Sequence, residues 1–155
     1  MGHVGDGIPG SGESAATGHA DASDALTEPD KVLEFIERTK VDALAVAIGT
    51  AHGVYVSTPK LDIERLKIIN RLSPAPLVLH GGSGTPEGDL RRAISLGMCK
   101  INVATELTAA VRAVLLAELE PEAPRWLPHS LTLAHAAIVP VVEKWIHLTG
   151  AAGRA

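Results

Sequence analysis

The stretch Leu77-Val78-Leu79-His80-Gly81-Gly82-Ser83-Gly84 decides how this chain is interpreted. Its apolar start is typical of a buried strand, and the glycines after His80 are typical of a tight loop. Thr85-Pro86-Glu87 follows with the composition of a helix start. Glycines let backbone N–H groups approach an anion, Ser83 adds a hydroxyl donor, and a helix amino terminus favours negative charge. The stretch predicts a phosphate site beside a histidine that can bind a metal or transfer a proton.

Two more apolar runs, residues 43–48 and 99–103, have the length of buried strands. The first leads into the glycine loop Gly49-Thr50-Ala51-His52-Gly53, and the second into a helix that opens at Ala104-Thr105. Helical spacing of apolar residues separates the strands. Strands that alternate with helices predict an α/β fold with a parallel sheet.

Capping residues mark the predicted helix ends. Thr27 and Asp62 are the expected N-caps of the helices that follow them, and Gly150 is the expected stop of the last one. That last helix is predicted over residues 131–148, with a bend at Pro140. Its expected apolar face consists of Leu131, Ile138, Val142, Trp145 and Ile146.

The carboxyl ends of parallel strands meet at one edge of a sheet, so three segments should converge there: residues 52–53, 80–84 and 102–105. His52 and His80 could share a zinc ion, and Asn102 could orient a hydroxyl or a carbonyl. Each signal alone has an ordinary structural interpretation. A histidine at a strand end is often a hydrogen-bonding residue, and a glycine-rich turn is often only a turn.

Composition sets the class of molecule. The chain has 155 residues, 46% of them hydrophobic and 3% aromatic, which predicts a globular core built from aliphatic residues. A net charge of −4 without basic clusters argues against nucleic-acid binding, and no apolar run reaches the length of a membrane span. Residues 1–25 read as a flexible arm and residues 26–155 as the folded domain. The single cysteine, Cys99, is expected as a small buried side chain, and the cytoplasm is the expected compartment.

Three long motifs resemble those of the zinc-dependent class II fructose-bisphosphate and tagatose-bisphosphate aldolases in order and spacing. They are Ala45-Val46-Ala47-Ile48-Gly49-Thr50-Ala51-His52-Gly53, Leu77-Val78-Leu79-His80-Gly81-Gly82-Ser83-Gly84 and Lys100-Ile101-Asn102-Val103-Ala104-Thr105-Glu106-Leu107. The family fold is a (β/α)₈ TIM barrel. The resemblance implies a partial barrel: its last three strands with their helices, followed by C-terminal helices.

The resemblance also implies a reaction, the reversible cleavage of a ketose 1,6-bisphosphate into dihydroxyacetone phosphate and glyceraldehyde 3-phosphate, with Zn²⁺ as a Lewis acid. By motif, His52 and His80 are two zinc ligands. The resemblance further implies that Asn102 contacts the dihydroxyacetone part of the sugar phosphate and that a Na⁺ or K⁺ ion lies nearby. The residues expected to bind phosphate are Gly53, Gly81, Ser83 and Thr105. Ala104 lies at a position where many fructose-type members have Asp. The form Asn102-Val103-Ala104-Thr105 resembles the tagatose or general ketose branch instead.

Part of the family machinery has no counterpart in the sequence. The third zinc ligand and the general acid/base belong to earlier strands, and the chain resembles a barrel that starts near its fifth strand. Asp6 and Glu13 are the nearest carboxylates to the expected catalytic loop, and His3 lies near the expected edge of the site. The catalytic residues therefore remain unassigned at this stage.

Two alternatives stay open. The chain could be a non-catalytic fragment that binds sugar phosphates or assembles with a partner chain, because two histidines are fewer than the three protein ligands of a catalytic zinc. It could also be a Schiff-base aldolase that uses Lys100, which shares a strand face with Asn102. The full-length family implies a homo-oligomer.

Overall fold

The computed structural model describes residue 4, residues 26–119 and residues 125–154. The chain divides into two compact units, Met1–Val103 and Ala104–Ala155. Within the described ranges, none of the helices has the length and apolar character that a membrane crossing requires. The arm expected over residues 1–25 lies outside the described residues, except for Val4.

A parallel sheet is the centre of the first unit. Its strands are β1 (Leu44–Ala45), β2 (Leu77–Leu79) and β3 (Met98–Ile101), in the spatial order β1-β2-β3. Leu44 pairs with Leu77, and Leu79 pairs with Ile101. All three residues of the central strand are buried, as expected for a strand covered on both faces.

Helices alternate with these strands, as predicted. They are α1 (Val32–Thr39) before β1, α2 (Ile63–Leu72) between β1 and β2, and α3 (Glu87–Ser95) between β2 and β3. Leu66 and Ile69 of α2 and Leu90 of α3 are fully buried. Leu66 and Ile69 lie three positions apart on one face of α2, and Leu90 and the buried Ala93 lie three positions apart on one face of α3, so each helix contributes an apolar stripe to the core.

The first strand is shorter than the predicted run of residues 43–48, because its backbone changes partner. Val46 still donates to the Val78 carbonyl, at 3.2 Å. Ala47 instead pairs with Thr27: the Thr27 N–H donates to the Ala47 carbonyl, and the Ala47 N–H donates to Thr27 Oγ1, both at 2.9 Å. The sequence had predicted Thr27 as a helix cap, and this prediction was wrong. The residue before the short 3₁₀ turn Pro29–Lys31 is Glu28.

Replacing Thr27 by valine should lower the free energy of unfolding by about 1–3 kcal/mol, because the buried Ala47 N–H would lose its acceptor. Urea denaturation of the whole chain measures the change. Thr39→Val is the matched control, since the Thr39 hydroxyl is exposed and donates to the Phe35 carbonyl in its own helix. Equal losses in the two variants would contradict the role assigned to Thr27.

The predicted cap of α2 is confirmed. Asp62 Oδ1 accepts from the Arg65 N–H at 2.9 Å, and its other oxygen accepts from Arg65 Nε at 3.0 Å. The same guanidinium donates to the Thr27 carbonyl. One arginine thus joins the start of α2 to the segment that precedes α1.

The prediction that Cys99 is buried was wrong. Leu77 pairs with Met98 and Val78 with Lys100, so Cys99 is the extra residue of an irregularity in β3. Met98 points into the core, whereas Cys99 is exposed. The sequence run looked uniformly strand-like, but the extra residue turned this side chain away from the core.

The second unit contains α4 (Thr105–Glu118), α5 (Leu127–Ala136) and α6 (Ile138–Thr149). The predicted single helix over residues 131–148 is two helices that meet at Ala137. The break agrees with the bend predicted at Pro140, because a proline at this position lacks the N–H that would bond to the Ala136 carbonyl in an unbroken helix. Gly150 ends α6 in the left-handed conformation, as predicted.

The apolar face predicted for this last segment is only partly buried. Trp145 is buried and donates through Nε1 to Glu106 Oε2 at 3.1 Å, which links α6 to the first turn of α4. Leu131, Val142 and Ile146 are exposed. On α5 the buried residues are Ser130 and Ala134.

Candidate functional site

Two histidine side chains meet at the carboxyl edge of the sheet. His80 follows β2 directly, and His52 lies in the loop that leaves the neighbouring β1 segment. Their ring centroids are 5.3 Å apart, with a 33° angle between the ring planes. The parallel sheet thus brings together two residues that are 28 positions apart in sequence, as the motif spacing had predicted.

The glycines of the two loops allow this approach. Gly81 has φ +65°, and a Cβ built on it would lie 2.2 Å from the Ala51 carbonyl oxygen. The two loops therefore touch through their backbones, next to each histidine. Only glycine has both the conformation and the space that this contact requires.

Asn102 joins the end of β3 to the His80 loop. Its N–H donates to the Leu79 carbonyl at 2.8 Å, and its carbonyl accepts from the Gly82 N–H at 3.0 Å. In its side chain, Oδ1 accepts from the Lys100 ammonium, which can only donate. The amide nitrogen therefore faces His80 and lies 3.3–3.4 Å from the two ring nitrogens.

The residues expected to bind phosphate are divided between the two units. Gly53 and Ser83 are buried in the loops of the first unit, close in sequence to the two histidines. Thr85 closes the second loop, because its N–H donates to the Gly82 carbonyl at 3.1 Å. Thr105 is the first residue of α4 and belongs to the second unit. The binding roles of Gly53, Gly81, Ser83, Asn102 and Thr105 remain predictions.

Tyr55, a residue that was not predicted from the sequence, also lies at this site. Its hydroxyl lies 2.9 Å from the Ala51 nitrogen and 2.8 Å from the Gly81 oxygen, between the two loops. One signal could have drawn attention to it: it is the only tyrosine of the chain and lies three residues after His52, in a loop rich in glycine. Burial raises its pKa, while hydrogen bonds from the Ala51 N–H and with Thr85 act in the opposite direction.

The donor set of this edge suits zinc, but only in part. Two imidazoles on one tetrahedral Zn²⁺, with Zn–N bonds of about 2.0–2.1 Å, would have their ring centres about 5 Å apart. The observed 5.3 Å agrees with that spacing. Among the described residues, however, no group of three His, Cys, Asp or Glu side chains could surround a metal ion. His52 and His80 would therefore be two ligands of a site that needs a further one.

The other ionisable candidates that the structure describes are exposed. His129 and His135 are exposed on α5, and His147 is exposed on α6. Lys100 is exposed on β3 and shares a face with Asn102, as predicted. The predictions for His3, Asp6 and Glu13 fall outside the described residues.

Taken together, these features define a class of protein: an α/β chain of the partial-barrel type whose histidines and glycine loops lie at the carboxyl edge of a parallel sheet. The family model described as class II fructose-bisphosphate aldolase matches residues 1–154. The chain therefore belongs to the class II fructose-bisphosphate aldolase family, which confirms the resemblance seen in its motifs.

Relatives and solved structures agree with this assignment. The chain is 50% identical over 139 residues to the D-tagatose-1,6-bisphosphate aldolase subunit GatY of Klebsiella oxytoca, a match that covers 86% of this chain and 48% of that protein. The crystal structure of the YdjI aldolase from Escherichia coli K12 matches with a TM-score of 0.72 and 41% identity, over 84% of this chain and 48% of that one. The crystal structure of a candidate fructose-1,6-bisphosphate aldolase from Coccidioides immitis matches with a TM-score of 0.74 and 26% identity. This match covers 99% of this chain and 51% of that one. These matches confirm the predicted fold class, and the chain spans about half the length of these relatives.

Proposed function

We propose that this chain provides part of the site of a zinc-dependent aldolase that reversibly cleaves a ketose 1,6-bisphosphate into dihydroxyacetone phosphate and glyceraldehyde 3-phosphate. The observation that carries the proposal is the His52–His80 pair, with ring centroids 5.3 Å apart at the ends of neighbouring parallel strands. Membership of the class II aldolase family supports the reaction type. The cytoplasm as compartment and a homo-oligomer as the assembled state are part of the same proposal.

Each residue of the edge has a proposed task. His52 and His80 hold the zinc ion, which supplies Lewis-acid polarisation of a carbonyl oxygen when it is bound. Asn102 orients the dihydroxyacetone part of the substrate through its side-chain amide. Gly53, Gly81, Ser83 and Thr105 bind a phosphate group, with a monovalent cation, Na⁺ or K⁺, as a counter-charge. No described residue is assigned as general acid or base.

The sugar is proposed to be the fructose or the tagatose bisphosphate. The 50% identity to a D-tagatose-1,6-bisphosphate aldolase subunit supports tagatose, as does Ala104 at a position that is Asp in many fructose-type members. These two sugars differ in the configuration of a single hydroxyl group. Their discrimination therefore depends on contacts that a phosphate and metal site alone does not supply.

A second candidate is a non-catalytic module that binds sugar phosphates or assembles with a partner chain. Two observations favour it: the described residues offer two histidines rather than a set of three ligands, and the chain spans about half of its relatives. In this case the edge would keep its affinity for zinc and phosphate without turnover.

One set of measurements separates the two candidates. The whole chain is incubated with zinc and with each bisphosphate in turn; triose phosphate formation is assayed, and binding is measured by calorimetry. Turnover that is lost with a chelator supports the aldolase, whereas binding without turnover supports the module. Absence of both zinc binding and bisphosphate binding would overturn the two candidates together.

A further inference from the structure

Tyr55 connects the two loops that carry the histidines. Its hydroxyl accepts from the Ala51 N–H at 2.9 Å and donates to the Gly81 carbonyl at 2.8 Å. Ala51 directly precedes His52, and Gly81 directly follows His80. The phenol oxygen is therefore hydrogen-bonded to the backbone of one residue next to His52 and of one residue next to His80.

The ring of Tyr55 is held as well as its hydroxyl. A Cβ on Gly84 would lie 2.9 Å from Tyr55 Cδ2, so the ring rests against the loop that follows β2. Thr85 Oγ1 donates to the same Gly81 carbonyl, at 3.3 Å. The ring fills the space between the loops, and the acceptor that it uses is fixed by a second donor.

The protonation state of the phenol suits this contact. The Gly81 carbonyl can only accept, so the Tyr55 hydroxyl must keep its proton to bond to it. Burial, which is the largest influence, raises the pKa of Tyr55 and favours the protonated form. The bridge between the loops is therefore complete at neutral pH.

Tyr55 adds to the backbone contacts of these loops, in which His52 lies in an isolated β-bridge and the Gly82 N–H donates to the Asn102 carbonyl at 3.0 Å. Ala51 and Gly81 lie outside the strands, and the loops contain glycines in the left-handed conformation. Removing the phenol oxygen would leave a half-buried N–H without its acceptor and allow the loops to separate.

We propose that Tyr55 is a positioning residue of the metal site: its hydroxyl fixes the distance between His52 and His80. This inference rests on the proposed zinc function for its consequence, but the geometry that it describes exists without a metal. A bridge of this kind acts as outer-shell partners of metal ligands do, whose loss costs about 10–100-fold in metal affinity.

The test compares Tyr55→Phe with the parent chain. The variant keeps the ring and loses only the oxygen, so zinc affinity measured by calorimetry should fall by about 10-fold or more. The visible spectrum of bound Co²⁺ should change as well, because the arrangement of the ligands changes. If Tyr55 had only a structural role, Tyr55→Phe would lower the melting temperature but leave the zinc affinity and the Co²⁺ spectrum unchanged at a temperature where both proteins are folded. That outcome would overturn the proposal.

Thr50→Val is the matched control. Thr50 lies in the same loop, and its hydroxyl is buried without a hydrogen-bond partner in the described part of the chain. Valine removes one hydroxyl of the same loop and breaks no bond between the loops. This variant should bind zinc like the parent, and an equal loss in both variants would contradict a specific role of Tyr55.

A metal-free measurement separates this inference from the proposed function. In the parent chain, the ring protons of His52 and His80 should show an NOE, and the Ala51 amide should exchange slowly with solvent. In Tyr55→Phe the NOE should disappear and the amide should exchange faster. If the parent binds no zinc, the proposed function fails while these measurements still test Tyr55. An unchanged NOE in the variant, or a rapidly exchanging Ala51 amide in the parent, refutes the bridge.

Discussion

Replacing His80 by alanine is expected to lower the zinc affinity of the chain by at least about 100-fold, because loss of a ligand costs more than the 10–100-fold lost with an outer-shell partner. His52→Ala should have an effect of the same size, since the two rings face each other at 5.3 Å and would hold one ion between them. The double variant should bind no more weakly than either single variant, because one remaining imidazole does not make a chelate. Calorimetry, or competition with a zinc-binding dye, measures all three.

His135→Ala is the matched control for these variants. Its imidazole is exposed on α5, away in sequence from both glycine loops, and its removal should leave the high-affinity site unchanged. The control is needed because the chain has seven histidines, any of which can bind zinc weakly. If His135→Ala lowers the affinity as much as His80→Ala, the measured binding is unspecific and the assigned pair is wrong.

Gly81→Ala should be the most destabilising single-methyl change in the strand-end loops, with a loss of about 3 kcal/mol in the free energy of unfolding. The left-handed conformation, φ +65°, costs an alanine about 1–2 kcal/mol. The added Cβ would also lie 2.2 Å from the Ala51 carbonyl oxygen, so the two loops would have to separate, at a further cost of about 1–3 kcal/mol. Chemical denaturation of the whole chain measures the loss.

Variants of two other glycines separate the conformational cost of Gly81→Ala from the cost of its close contact with Ala51. Gly150 has φ +72° but open space around its Cβ position, so Gly150→Ala should show only the conformational cost of about 1–2 kcal/mol. Gly88 lies in the first turn of α3 with open space around its Cβ position, so Gly88→Ala should not destabilise the chain and should stabilise it by at most about 0.5 kcal/mol. If Gly81→Ala costs no more than Gly150→Ala, the close contact between the loops is not present.

Gly81→Ala tests whether the loops touch, and His80→Ala tests whether the side chains that they carry bind a metal. Loop separation in Gly81→Ala should also weaken zinc binding, because Gly81 is bonded to His80 in the chain and to Tyr55 through its carbonyl. A variant that is destabilised but binds zinc like the parent would show that the metal pair does not depend on this contact.

Local sequence was sufficient for the alternation of strands and helices, and for the histidine pair. Apolar runs of strand length, such as Leu77-Val78-Leu79, alternate with helical spacing, and a parallel sheet places all its carboxyl strand ends at one edge. His52 and His80 follow two neighbouring strands, so the topology of the sheet predicts that they lie at the same edge, and their ring centroids are 5.3 Å apart. The motif resemblance to class II aldolases was equally local, and the family match confirms it.

Tertiary structure decided what depends on partners distant in sequence. Thr27 was expected to cap the nearest helix, but its hydroxyl accepts from the Ala47 N–H, twenty residues away. Cys99 was expected inside, but the register between β2 and β3 makes it the extra residue and leaves it exposed.

Tyr55 shows the same limit at the site. Hydrophobic periodicity and capping preferences describe contacts between residues a few positions apart, and they predicted the elements and the edge where the histidines meet. The phenol bridge from Ala51 to Gly81 joins two loops whose approach depends on how the sheet and its glycines pack in three dimensions. The sequence by itself determined which residues lie at this edge, and the tertiary structure decided which of them hold it together, because a hydrogen bond between loops depends on positions that no single segment encodes.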